Sequence, residues 1–215
     1  SLSASKPCTE SRTGIMSKTQ QRIPFIKREE WTDGAIEVFT MMERDEAKRE
    51  AARKNGSTMN MINVLAHHPK IAIPFLEMGK ALFLIDLSMR LREIAVLRLA
   101  HLSNSEYEWF QHVAIGKYVG LTDADIEAIK VGKPADDWSE IDALVMEAVD
   151  ELEKTDTISD ELWAKLSKHF DQQVMFEFIF MISSYKMTAW VLNAMAVPLD
   201  ETPQGRPPVE RSMSD

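Results

Sequence analysis

Four residues between positions 93 and 112 carry side chains that could exchange a proton with a substrate. They are Glu93, Ser105, Glu108 and His112, and the last three are spaced by three and four positions. This spacing places a hydroxyl, a carboxylate and an imidazole on one face of a helix. An imidazole titrates near neutral pH, and a carboxylate at one ring nitrogen fixes its tautomer. We therefore predict that His112 is a general acid and base, oriented by Glu93 or Glu108.

Two helices must position these residues. Met89 to Ala100 shows helical apolar spacing, and Ser103-x-x-Glu106 is typical of a capping box that opens a helix over residues 103–118. Ser105 would then lie in the first turn, where unpaired backbone N–H groups and the helix dipole favour an anion. The helical hairpin would bring the carboxylate of the first helix toward the imidazole of the second.

The order Glu-x11-Ser-x2-Glu-x3-His resembles the carboxymuconolactone decarboxylase and alkylhydroperoxidase D-like family. The redox branch of that family has Cys-x2-Cys in this frame, so Ser105 and Glu108 stand where its two cysteines would be. The segment Glu-Tyr-Glu-Trp-x2-His is more similar to the cysteine-free decarboxylases, which act on carboxylated lactones in aromatic compound catabolism. The resemblance covers residues 69–199. It implies an all-helical domain that assembles into dimers, trimers or hexamers.

The rest of the sequence also predicts an all-α fold, because Gly and Pro are sparse and no alternating strand pattern occurs. We expect a disordered leader over residues 1–22, one helical domain over 23–199 and a disordered tail over 200–215. Further helices are predicted over residues 34–53 (one or two helices), 71–87, 122–131, 139–154, 159–170 and 172–195. The last is apolar nearly all round, so it lies at the centre of the domain or packs against a partner subunit. We expect a homo-oligomer.

Composition and charge argue against several classes of partner. The formal net charge of −9 disfavours nonspecific binding to nucleic acid or to an anionic membrane surface. No apolar run reaches the length of about 18 residues that a membrane span needs, and the start lacks a secretory core. We therefore expect a cytoplasmic protein. Cys8 is the only cysteine and is interpreted as incidental, and Met16 is a candidate natural start. One thiol cannot run a dithiol redox cycle within a subunit.

Further candidates concern substrate binding. We assign this role to Ser105, Trp109, Tyr185 and His68, of which Tyr185 and His68 lie in segments similar to the family. Each also has a structural interpretation, as a packed ring, a hydrogen-bonded hydroxyl or a helix start. The nearest cations for a substrate carboxylate are Arg90, Arg92 and Arg98.

A metal site is the other chemistry that this segment could support. Glu108 and His112 are spaced so that one helix could offer both to zinc. A third ligand would have to come from Glu93, His67, His68 or His101. No second ligand pair at a recognised spacing exists, so we expect no metal and no cofactor.

The leading hypothesis is a cofactor-independent lyase, of decarboxylase or isomerase type, acting on a small carboxylated or lactone-like organic acid. His112 would deliver the proton, Glu93 would orient the ring, and the helix start near Ser105 would hold negative charge. One alternative is a peroxiredoxin-like reductase that uses an external thiol. The other is a non-enzymatic helical oligomer that binds a hydrophobic ligand or partner.

Overall fold

The computed structural model describes residues 20–204, and these residues form helices and connecting turns with no strand among them. The expected all-α class is confirmed. No helix within the described range has both the length and the apolar character to cross a bilayer. The predictions for Cys8 and Met16, and for most of the leader and tail, lie outside the described residues.

Within residues 20–204, ten α-helices follow a short 3-10 turn at Arg28–Glu30. They are α1 (Asp33–Thr40), α2 (Glu46–Asn55), α3 (Asn60–Leu65), α4 (Pro69–Leu82), α5 (Met89–Leu102), α6 (Glu106–Tyr118), α7 (Asp123–Val131), α8 (Glu140–Thr155), α9 (Asp160–Leu166) and α10 (Gln172–Met195). The prediction for residues 34–53 was one helix or two, and the structure has two. The short helix α3 was not predicted.

Side-chain caps set several of the helix boundaries. Thr122 and Ser139 form capping boxes at the starts of α7 and α8, and each accepts a hydrogen bond from the third helical residue. At the end of α7, Gly132 has a φ of 74°, a left-handed conformation in which Gly carries no steric penalty. These local signals are the reason that the sequence predicted α7 and α8 closely.

Helix α5 is the centre of the domain. It packs against α6, α7, α8 and α10, and the nine consecutive residues Arg92–Ala100 are all buried. From the sequence, we expected α10 either at the centre of the domain or against a partner subunit. The central position is occupied by α5 instead. One face of α10 stays exposed, since Phe176 is 62% and Trp190 is 64% accessible. This apolar face fits the expected homo-oligomer, which stays a prediction.

Two apolar clusters build the core. The larger one joins α5 to α8, α9 and α10, and a smaller one is formed by α1 to α4 around Phe39 and Ile62. The candidate site lies between the helices that carry the two clusters.

The packed chain extends past both boundaries that we expected. The backbone N–H of Arg22 donates to the Met195 carbonyl at 3.0 Å. The Asp200 carboxylate is 5% exposed and accepts hydrogen bonds, so the tail does not begin at Asp200. The physical reason is that Asn60 holds the carbonyls of Pro198 and Leu199 through its side-chain amide.

Gly132 tests the packing around α5. A Cβ at this position would lie 2.5 Å from Nη2 of Arg98, whose guanidinium donates to the Ile129 carbonyl and to Asp150. We expect Gly132→Ala to lower the free energy of unfolding by about 1–3 kcal/mol, because both the φ and the contact are strained. Urea denaturation measures this change.

Gly79, within α4, provides the matched control. A Cβ there meets no atom within 4 Å, so Gly79→Ala should leave the stability unchanged or raise it by up to about 1 kcal/mol. Equal effects of the two substitutions would contradict the strain at Gly132.

Candidate active site

A buried hydrogen bond links the two helices of the predicted hairpin. Oε2 of Glu93 on α5 lies 2.7 Å from Nδ1 of His112 on α6. Glu93 is 0% and His112 is 7% exposed. Because an ionised carboxylate can only accept, Nδ1 carries the proton, and Nε2 is left for a ligand. The geometry is that of an oriented acid and base.

Glu108 lies one turn before His112 on α6 and is also buried. Neither of its carboxylate oxygens has a hydrogen-bond partner among the described residues. Burial raises the pKa of Glu108 to about 7, against the lowering effects of the nearby Ser105 hydroxyl, His112 and Lys186. Near neutral pH the group is therefore close to half protonated, and it can donate or accept a hydrogen bond.

Ser105 occupies a different position from the one predicted. It is the N-cap of α6, whereas Ser103 ends α5, so the expected capping box at Ser103 is wrong. The connection is longer because Asn104 adopts a left-handed φ of 51° and Ser105 N–H donates back to the Ala100 carbonyl. The Ser105 hydroxyl is buried near Glu108, makes no cap hydrogen bond and does not line the cavity described below.

Arg92 and Tyr185 lie beside Glu93 and His112. Nη1 of Arg92 donates to the Leu82 carbonyl at 2.6 Å, and Nη2 donates to the Tyr185 hydroxyl at 2.7 Å. The Nε atom of Arg92 is buried without a hydrogen-bond partner, 3.7 Å from Glu93. Of the three cations predicted, Arg92 is the one that lines the cavity described below.

Tyr185 keeps its proton at neutral pH. Burial raises its pKa to about 12, although the Arg92 guanidinium opposes this shift. Its ring meets the His112 ring edge-on at 5.0 Å between centroids. Tyr185 therefore lies beside His112, and its hydroxyl is a donor available at this end of the site.

These groups meet at a cavity of about 920 Å³. Arg92, Glu108, His112 and Tyr185 line its polar end, and most of the remaining wall surface is apolar. Five other charged residues also line the cavity: Glu43, Arg44, Arg49, Lys80 and Asp86. Glu93 lies behind His112 and does not line it. Pockets of this size, with few convergent polar groups and a perturbed carboxyl, are typical of active sites.

A polar network that we did not predict closes one side of the cavity. Asp200 accepts hydrogen bonds from the Tyr107 hydroxyl at 2.8 Å and from the Gln111 side chain at 2.7 Å. Gln111 in turn accepts from the backbone N–H of Gln204 at 2.6 Å. Gln111 follows Glu108 by three residues, so helical spacing could have identified it. Nothing local indicates that Asp200 docks here.

Trp109 and His68 do not lie where the predicted substrate-binding role requires. Trp109 packs beside His101, with Lys130 over its ring, because its position on α6 points away from the cavity. His68 is exposed at the N-cap of α4 and does not line the cavity. Arg90 and Arg98 are also directed elsewhere, to aspartates on other helices.

No metal-binding group of three or more His, Cys, Asp or Glu side chains occurs within residues 20–204. The candidate third ligands His67, His68 and His101 do not line the cavity that Glu108 and His112 share. His67 is bound instead to the Pro24 carbonyl, 2.7 Å from Nε2.

Comparison with known proteins identifies the fold. No family model and no curated protein matches the sequence. Solved structures do match, and they define an alkylhydroperoxidase D-like (AhpD-like) fold, the architecture also implied by the resemblance to carboxymuconolactone decarboxylases. Membership of a cysteine-free branch stays a prediction.

Three of the matching structures illustrate the likeness. A peroxidase-related protein from Ralstonia eutropha, described as uncharacterized with an AhpD core, has a TM-score of 0.66 at 17% identity and covers 84% of this chain and 92% of its own. The debrominase Bmp8, in its apo form, has a TM-score of 0.66 at 13% identity, with coverages of 84% and 93%. An Agrobacterium tumefaciens protein of unknown function, described as an AhpD antioxidant-defence candidate, has a TM-score of 0.60 at 15% identity, with coverages of 64% and 95%. At these identities the likeness shows a shared fold.

The raised pKa of Glu108 predicts a pH-dependent stability. The unfolded chain releases this proton near the ordinary value of 4.5 and the folded chain near 7. Between these values the folded state binds more protons, so the wild type loses stability as the pH rises, by up to about 3 kcal/mol in total. Glu108→Gln should therefore gain stability relative to the wild type across this window, as measured by urea denaturation at a series of pH values.

Glu106→Gln is the matched control, since Glu106 is an exposed carboxylate on the same helix. A difference between wild type and Glu108→Gln that is equal at every pH would contradict the titration of the buried carboxyl.

Proposed function

We propose that this protein is a cofactor-independent enzyme of decarboxylase or isomerase type, acting by proton transfer on a carboxylated or lactone-like organic acid. The observation that carries the proposal is the buried pair of Glu93 and His112, 2.7 Å apart, at a cavity that also holds the protonatable Glu108. The fold neighbours include a debrominase, which favours an enzymatic role for this architecture.

In an isomerisation, Nε2 of His112 would remove a proton from the carbon next to a substrate carbonyl. The electron pair of the broken C–H bond moves to the carbonyl oxygen, which becomes an enolate. Glu93 stabilises the imidazolium at Nδ1 while protonated Glu108 and the Tyr185 hydroxyl donate hydrogen bonds to the enolate oxygen. The imidazolium then returns the proton to a second carbon, and the enzyme regains its starting state.

In a decarboxylation the same groups would act in a different order. The electron pair of the carbon–carboxylate bond moves into a conjugated carbonyl, and carbon dioxide leaves. Glu108 and Tyr185 would stabilise the resulting dienolate by hydrogen bonds, and protonated His112 would deliver a proton to carbon. Arg92, which lines the cavity, would hold the second carboxylate or the lactone.

The fold neighbours favour a second candidate, a reductase that uses an external thiol. Two of them are described as peroxidase-related or as antioxidant-defence candidates. In this sequence Ser105 and Glu108 stand at the positions of the redox cysteines, and Cys8 is the only cysteine. A reductive reaction would therefore need a thiol from outside the chain. Peroxide consumption by the wild type with a dithiol would support this candidate, and inactivity would exclude it.

The non-enzymatic alternative has less support. A protein that only binds a hydrophobic ligand does not require an imidazole held by a buried carboxylate. The desolvation of Glu93 costs free energy, and the contact with His112 offsets this cost only in part. Apolar residues at two such buried positions are often as stabilising as the pair, or more so.

His112 is the residue on which the proposal depends most. We expect His112→Ala to reduce turnover by about 10²–10⁴, the usual contribution of a general acid and base. The assay incubates β,γ-unsaturated acids and carboxylated lactones in D₂O and follows deuterium incorporation and substrate loss by NMR. Glu93→Gln should reduce the same rates less, because it keeps the ring in place and removes the charge.

His169→Ala is the matched control, since His169 pairs with Glu140 at the surface and does not line the cavity. It should keep wild-type rates. Wild-type rates in a folded His112→Ala variant would overturn the proposed function.

A further inference from the structure

The cavity is larger than the predicted small acid requires. Its volume of about 920 Å³ is near the upper end of pockets that hold drug-sized ligands, which span roughly 300–1,000 Å³. The polar end described above occupies only part of the cavity, and most of the remaining wall surface is apolar. The rest of the volume therefore calls for a ligand that extends well beyond the reacting group.

Methionines form much of the wall beyond the polar end. Four come from the turn after α1 and the start of α3, namely Met41, Met42, Met59 and Met61. All four are only half-buried, so each leaves apolar surface accessible. Methionine side chains are flexible and polarizable, and they adapt to apolar ligands of different shapes.

Aromatic and branched side chains continue this wall toward the polar end. Phe75 and Leu76 of α4 lie beside the methionines, and Phe83 stacks under the Arg92 guanidinium at 4.1 Å. The apolar wall therefore reaches Arg92 at the polar end. An extended ligand in this cavity would place an apolar body against the methionines and a polar head at Arg92.

The polar end matches an acid head group in its hydrogen-bond donors. Arg92 Nε and both Glu108 oxygens are buried without a hydrogen-bond partner, and Tyr185 retains its hydroxyl proton. Unsatisfied buried polar groups cost free energy until a ligand pairs with them.

We infer that the substrate of this site is an amphipathic acid, with a carboxylate or lactone head at Arg92, Glu108 and His112 and an extended apolar body along the methionine wall. The inference rests on the proposed function for the location of the head group, and it replaces the small acid expected from the sequence with a larger one. The length of the apolar body is the property that distinguishes the two.

Straight-chain carboxylates test the inference by isothermal titration calorimetry on the full chain. From butanoate to dodecanoate, Kd should fall about three- to fourfold for each added methylene and level off once the cavity is filled. The primary amides of the same lengths are the neutral controls, and they should bind about tenfold more weakly. A Kd that does not depend on chain length overturns the inference that the substrate has an extended apolar body. Amides that bind as tightly as the acids overturn the inference that the head group is an acid.

Two substitutions in the wall should change, in opposite directions, the chain length beyond which Kd stops falling. Met42→Trp fills the cavity and should shift it to shorter chains, whereas Phe75→Leu enlarges the cavity and should shift it to longer chains. Met187→Trp is the matched control, because Met187 is exposed on α10 and does not line the cavity. Circular dichroism confirms that each variant is folded. An unchanged chain-length profile in both folded wall variants overturns the inference.

The His112→Ala variant separates this inference from the proposed function. It leaves the methionine wall intact, so the dependence of Kd on chain length should persist in it. If Kd in His112→Ala still depends on chain length and the variant keeps wild-type turnover, only the proposed function is overturned. If His112→Ala loses turnover but Kd in the wild type does not depend on chain length, only the inferred substrate class is overturned.

Discussion

A carboxylate with no access to water is the constraint on which this structure depends. Glu93 is fully buried on the central helix α5, and burial of an unpaired charge costs several kcal/mol. The hydrogen bond from His112 offsets this cost directly, and the Arg92 guanidinium, 3.7 Å from the Glu93 carboxylate, also stabilises the charge. The first contact fixes α6 against α5. Through the Arg92 bond to Tyr185, α10 is fixed as well. The polar contacts that stabilise the centre of the domain are therefore the same contacts that build the site.

The chemistry of the site follows from the side chains at the polar end of the cavity. A dithiol could transfer electrons, whereas Glu108 and His112 can only exchange protons and hydrogen bonds. Burial keeps Glu108 protonatable near neutral pH, and Glu93 keeps the His112 ring oriented. The AhpD-like fold is shared with proteins described by different activities, so the side chains at the site, rather than the fold, have to carry the functional argument.

Local patterns predicted much of the fold and part of the site. Helical periodicity and caps such as Thr122 identified most helices, and the spacing of Glu93 and His112 predicted their contact. The start of α6 was mispredicted because two serines compete as caps, and the left-handed conformation of Asn104 selects the second. Long-range packing determined the rest. The docking of Asp200 and the methionine wall depend on segments far apart in the sequence, and no local pattern encodes them.

The central claim is that Glu93 holds His112 with its proton on Nδ1 and leaves Nε2 free to act as the base. Nitrogen-15 NMR of histidine-labelled protein tests it most directly, since the ring-nitrogen shifts report which nitrogen is protonated. Spectra of a His112→Asn variant would assign the His112 signals among the five histidines. We predict the Nδ1-protonated form in the wild type above neutral pH, and a shift toward the Nε2-protonated form in Glu93→Gln. An Nε2-protonated wild type, or identical tautomers in the two proteins, would contradict the account.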